Sequence, residues 1–264
     1  MSGIIKPPVG AQLNLSHPFS RGLLGSWLLN EGSGKAVHDS SGQGNEGTLI
    51  NMADPPAASG WCAGPFGNSL LFNGSGYVDC GTGLSVRLGT TTKISVIIGF
   101  EGNDNPANEG LFEIGKFDDV IKTLTVLSYA KVLYWTMNNS AFFHNFPTTT
   151  PSGDHVLALV YDGATALAYL NNLIMLNVGY ADPLSFYFLE RAKIGVYYSA
   201  PYCFNGKIHF VHVYDRPLSA VEVAYITAFP FCMYGAESYP AWMKSKAGPA
   251  IHALMNYYLR LRGH

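Results

Sequence analysis

The chain has 264 residues with only 13% charged and a formal net charge of −2, so it lacks the basic footprint that nucleic-acid binding needs. That length suffices for one large domain with extensions. The 29 Gly, 15 Pro, 15 Phe and 16 Tyr describe a turn-rich, aromatic-rich chain rather than a helical one.

Residues 1–20 hold Pro7-Pro8, Gly10 and His17-Pro18, which disfavour helix and central strand and predict an extended arm. The opening has no apolar core of a signal peptide, and no later stretch approaches the roughly 20 apolar residues of a membrane span. A chain made and used without a signal peptide or membrane span is therefore expected. The apolar run from Leu23 to Leu29, with Trp27 inside it, predicts a strand, followed by a polar loop and a second strand at Thr48-Leu49-Ile50. Next, Ser69 to Phe72 and Tyr77 to Cys80 flank Asn73-Gly74-Ser75-Gly76, a hairpin signal.

Short β-branched or aromatic runs continue at Lys93 to Phe100, Leu111 to Lys116, Ile121 to Leu127 and Lys131 to Met137. A three-strand meander follows from His155 to Val178, turning at Asp162-Gly163 and Asn171-Asn172. Its strands are apolar on both faces, as a central strand covered from both sides would be. The first helical signal is Ser219 with Glu222, a capping box, with Pro230 as the stop. From Pro249 the stripe Ile251, Leu254, Met255, Tyr258, Leu259 predicts a short amphipathic helix that ends in Arg260 and Arg262.

Catalytic patterns are sparse. The string around Lys35 fails as a phosphate loop, because Ala36 follows the lysine and Leu29 stands at the first-glycine position. Glu109, Glu113, Asp118 and Asp119 form the nearest acidic group and read as solvated loop charge rather than a carboxylate pair. His209 and His212, three apart in a strand, should point to opposite faces and share no metal. With no nucleophile and base in view either, the expectation is no enzyme. Cys62, Cys80, Cys203 and Cys232 form no C-x-x-C pair and read as free thiols. A sugar platform would use Trp135 with Asn138 and Asn139, or Tyr197 with Tyr198 and Tyr202, although core or interface packing explains the same aromatics.

Four ordered segments, GLLGSWLLNEGSG, DSSGQGNEGTL, FGNSLLFNGSGYVDCG and FNGKIHFVHVYDRPLSAVEVAYI, resemble the laminin-G-like domains of the concanavalin A-like superfamily over about residues 21–228. The resemblance implies an all-β, two-sheet antiparallel jelly-roll β-sandwich with an extended N-terminal arm (1–20) and an aromatic-rich tail with a short helix (229–264). The centre departs from the family's wording at TTTKISVIIGFEGND and at His209-Phe210. Such sandwiches often hold calcium, for which Asp39 and Asn45 are the candidate ligands. An Asx-type turn is the alternative for those two residues, and no cofactor is required.

The flanks, KPPVGAQLNLSHPFSRGL and AFPFCMYGAESYPAWM, are similar to those of laminin-G-like proteins of tailed phages. This second likeness implies a non-enzymatic virion structural or decoration protein, assembled in the host cytoplasm. Its partners would be copies of itself or a major capsid or tail protein. Phe229, Phe231, Met233, Tyr234, Tyr239, Trp242, Leu254 and Tyr258 would form the assembly interface, unless they fold back on their own sandwich. The alternative function is a carbohydrate-binding adhesion module, calcium-dependent or not, that recognises surface glycans.

Overall fold

The structure, a computed structural model, describes residues 4–53, 60–102, 109–115, 122–129, 132–138, 142–149, 152–186, 190–197 and 202–234. In chain order the strands are β1 (Leu23–Trp27), β2 (Ala36–Val37), β3 (Gly47–Ile50), β4 (Gly60–Gly64), β5 (Gly67–Asn73), β6 (Tyr77–Asp79), β7 (Thr90–Thr91), β8 (Ile94–Gly102) and β9 (Glu109–Gly115). They continue as β10 (Lys122–Tyr129), β11 (Val132–Met137), β12 (Phe142–Thr149), β13 (Gly153–Tyr161), β14 (Thr165–Leu170), β15 (Leu173–Gly179), β16 (Leu184–Ser185), β17 (Arg191–Ile194) and β18 (Asn205–Tyr214). Among the described residues the α-helices are α1 (Gly83–Leu88) and α2 (Ala220–Ala228).

The first sheet runs β15-β14-β13-β8-β18-β5-β4, with β1 beside the second half of β18. The second runs β12-β11-β10-β9-β17-β6-β3-β2, and the strands of both sheets pair antiparallel. This is the expected all-β sandwich, with open, jelly-roll-like sheets. Alternate side chains fill the space between them: Trp27, Phe72, Phe100 and Tyr161 from the first sheet, Phe112, Trp135 and Ile194 from the second, each 0–1% exposed.

The first sheet is also covered on its outer face, which explains why β8 and β13 read as apolar on both sides. Ile97, Val160, Phe210 and Tyr214 meet Val223 and Ile226 of α2, Phe19 of the arm, and Phe231, Met233 and Tyr234 beyond the helix. The capping box forms in full: Ser219 Oγ accepts from the Glu222 backbone, and the Glu222 carboxylate accepts from the Ser219 backbone N–H. The arm is pinned by Lys6 N–H to Phe66 O (2.9 Å) and Asn14 N–H to Met233 O (2.9 Å). Lys6 also donates through Nζ to the carbonyls of Leu29 and Asn68, and burial pulls its pKa down to about 7 against the attraction of Glu31.

Two expectations change. Asn73 to Gly76 is no hairpin turn, because β5 pairs with β4 and β18 in the first sheet while β6 pairs with β3 and β17 in the second. The segment instead crosses the core edge, with Phe72 and Val78 both fully buried and the Gly74 N–H bonded to Phe204 O at 2.9 Å. Helix α1 was not expected from the sequence, and its Thr82 N-cap makes no side-chain capping bond that would announce it. The meander turns stand as expected, with Asn171 and Asn172 both at positive φ (50° and 68°) and Asp162 Oδ1 accepting from the Ala164 and Thr165 N–H groups.

Candidate functional site

With the first sheet sealed by the terminal segments, the polar outer face belongs to the second. Phe112 and Ile114 of β9 point into the core, so Glu113 between them points out. Register then places Thr125 and Thr136 on one side of Glu113, and Lys193, Asp79 and Thr48 on the other. The result is an unbroken row of hydrogen-bonding side chains across six adjacent strands. At its centre Lys193 Nζ lies 2.6 Å from Glu113 Oε1 with the two side chains 1% and 0% exposed.

A buried ion pair is weak evidence for stability, because desolvating both charges offsets their attraction. Thr125 and Thr136 are buried as well, and the row opens towards Asp79 and Thr48. Arg191 Nε donates to both oxygens of Asp79 at 2.9 Å, and the arginine side chain remains 43% exposed. Tyr134 of β11 and Tyr77 of β6, each next to a core residue on its strand, join the same face half-buried. Beside the Gly110–Cys203 bridge, Tyr197 and Tyr202 meet edge-on, ring centroids 5.8 Å apart. Only glycine fits at position 110 beneath them, since a Cβ there would come within 2.0 Å of the Val196 carbonyl carbon and 2.1 Å of Tyr197 N.

The sugar-platform candidates separate in space. Trp135 is corrected outright: it is fully buried in the inter-sheet core and presents no face to a ligand. Asn138 spends both amide hydrogens at home, on Tyr180 Oη and Pro183 O, each at 2.9 Å. Tyr197 is half-buried against Tyr202, and Asn139 and Tyr198 lie outside the described residues.

Asp39 and Asn45 form a hydrogen-bonded hub. Asp39 Oδ1 accepts from the backbone N–H groups of Ser26 (2.9 Å) and Ser41 (3.0 Å), and Oδ2 accepts from Asn45 N–H (2.9 Å) and Nδ2 (3.0 Å). The bond from Ser41 N–H, two residues on, has the form of an Asx-type turn. Among the described residues no group of three or more His, Cys, Asp and Glu is placed to hold a metal. Asp39→Asn puts an NH2 against N–H donors and is expected to cost about 2 kcal/mol, read as a lower urea midpoint at unchanged slope.

The histidines overturn the face argument. A β-bulge between Ile208 and Phe210 turns His209 to the same outer face as His212. His209 Nδ1 lies 2.9 Å from Ser69 Oγ and its Nε2 2.9 Å from Asp154 Oδ1, while His212 Nδ1 lies 2.9 Å from Ser26 Oγ. A serine and a histidine do come together, contrary to expectation, joined from strands far apart in sequence. Ser69 is fully buried, however, and the edge of Phe66 meets the His209 ring. Burial holds both imidazoles down at about 4, against the opposing pull of Asp154 on His209 and of the Pro230 carbonyl on His212.

Of the proposed assembly residues, Phe231, Met233 and Tyr234 are buried against the chain's own first sheet, with Phe229 packed beside them. They are unavailable to a partner while that packing holds. Tyr239, Trp242, Leu254 and Tyr258 lie outside the described residues. All four cysteines are free thiols.

No family model and no curated protein matches the chain. Solved structures do match. Domain 4 of AbnA, a GH43 extracellular arabinanase from Geobacillus stearothermophilus in complex with arabinotriose, superposes with TM-score 0.60 at 15% identity over 78% of this chain and 98% of that domain. A Trypanosoma rangeli sialidase in complex with sialic acid gives 0.59 at 13% identity, over 82% of this chain and 34% of the sialidase, so the chain spans about a third of that enzyme. A structure concerned with the dependence of botulinum neurotoxin type C entry on two ganglioside molecules gives 0.53 at 8% identity over 78% of this chain and 50% of that one. At these identities the likeness shows the fold. It also corrects the expectation of no enzyme, since the same sandwich forms part of two glycosidases, an arabinanase and a sialidase.

Proposed function

We propose that the chain is a glycan-binding module whose ligand lies along the outer face of the second sheet. The observation that carries this reading is the match along 98% of a domain solved with arabinotriose. The chemistry of that face suits it: Tyr134 lies half-buried on it, and the Arg191–Asp79 pair, with the arginine side chain 43% exposed, offers donors and acceptors to hydroxyls. The buried Lys193–Glu113 pair fixes the strands beneath.

A glycan array that includes arabino-oligosaccharides, read with and without chelator, tests both binding and any need for calcium. Binding is expected to fall roughly tenfold in Arg191→Ala, at unchanged thermal midpoint. Silence across the array removes the proposal.

A second reading places the module on a virion, with copies of itself or a capsid or tail protein as partner. It draws on the likeness of the flanks to phage proteins and on Ile5, 74% exposed on the arm. A stable oligomer of the full chain by light scattering supports it, and a monomer removes copies of itself as the partner.

A further inference from the structure

A cleft of about 450 Å³ opens between the arm and the loop that follows β2, walled by Val9, Leu13 and Leu15 on one side and His38, Gln43 and Glu46 on the other. Its arm side inverts the usual logic of a surface. Lys6 points into the body, while Val9 and Leu15 stay 48% and 82% exposed.

We infer that this cleft is the docking groove for the chain's own C-terminal segment, the amphipathic stretch 251–262. The last described residue, Tyr234, bonds through its hydroxyl to Ser26 Oγ (2.6 Å) and to the carbonyl of Ser40 (3.3 Å), and Ser40 lines the cleft. The neighbouring Met233 carbonyl accepts from Asn14 of the arm at 2.9 Å. The described chain therefore ends at the cleft wall, and residues 235–250 lie in sequence between that point and the apolar stripe. Ile251, Leu254, Met255, Tyr258 and Leu259 supply an apolar stripe for Val9, Leu13 and Leu15. Arg260 and Arg262 at its end complement Glu46, whose side chain is 58% exposed at the rim beside His38. A second copy of the chain is the competing occupant.

Amide hydrogen exchange on the full chain, at two protein concentrations, tests the assignment. In Leu254→Asp/Met255→Asp, residues 9–15 and 38–46 are expected to exchange about tenfold faster while β8, β13 and β18 are unchanged. In Leu15→Glu, a change at an exposed position that leaves the core alone, residues 251–259 are expected to lose protection by a similar factor. Unchanged exchange in both variants overturns the inference, as does protection that rises with protein concentration, which would give the groove to a second copy.

Discussion

Between pH 6.5 and pH 4 the sandwich is expected to lose about 6 kcal/mol of stability, close to 3 kcal/mol from each of His209 and His212. Both imidazoles titrate near 4 in the folded chain against 6.5 in the unfolded one, because burial disfavours the charged ring. The unfolded state therefore binds the extra protons as pH falls. The stability is fully present above pH 6.5 and is lost as pH descends towards the folded values. His209 keeps Asp154 and Ser69 as partners, and His212 keeps Ser26 and the Pro230 carbonyl, which accepts from its Nε2 at 3.0 Å. None of these contacts makes up for removing a charged ring from water. Since domains of this kind hold about 5–15 kcal/mol in all, acid unfolding should begin near pH 4–5. Urea denaturation across that range reads the effect, and His209→Gln/His212→Gln should flatten it. A stability curve already flat in the unmodified protein would show that the rings reach water.

Where the local pattern was strong, the sequence reading and the structure agree. The meander from β13 to β15 was legible because its turns carry Asp-Gly and Asn-Asn, residues that supply side-chain acceptors and positive φ. The capping box of α2 was legible for the same local reason. What escaped depends on register. A single bulged residue in β18 reversed the face of His209, and no composition signal marks it. The polar row was hidden because Thr136, Thr125, Glu113, Lys193, Asp79 and Thr48 come from six strands, whose order in the sheet is not their order in the chain. Trp135 shows the converse: an aromatic beside asparagines resembles a sugar platform, yet alternation with Tyr134 and Thr136 sends it into the core. Tyr134, its neighbour, is the residue on the outer face.

The centre of that face yields the sharpest separation of stability from function. Lys193→Met leaves the Glu113 carboxylate inside the protein without its ammonium partner and is expected to cost about 3–5 kcal/mol. Lys193→Met/Glu113→Leu removes both charges from a site where each side chain is at most 1% exposed, so its stability should return to within about 1 kcal/mol of the unmodified chain or exceed it. Equilibrium urea unfolding of both variants reads the cycle, and a double variant as weak as the single one would mean that the pair is wired to more of the sheet than its own attraction. Glycan affinity follows a different logic. If the pair serves to hold Thr125, Arg191 and the tyrosines in register for a ligand, the restabilised double variant should still bind less tightly, by about tenfold, because an apolar pair fills the volume without the directional bonds that orient a polar face. A double variant that is both stable and fully competent would confine the pair to a structural role and shift the binding surface to the exposed arginine and tyrosines alone.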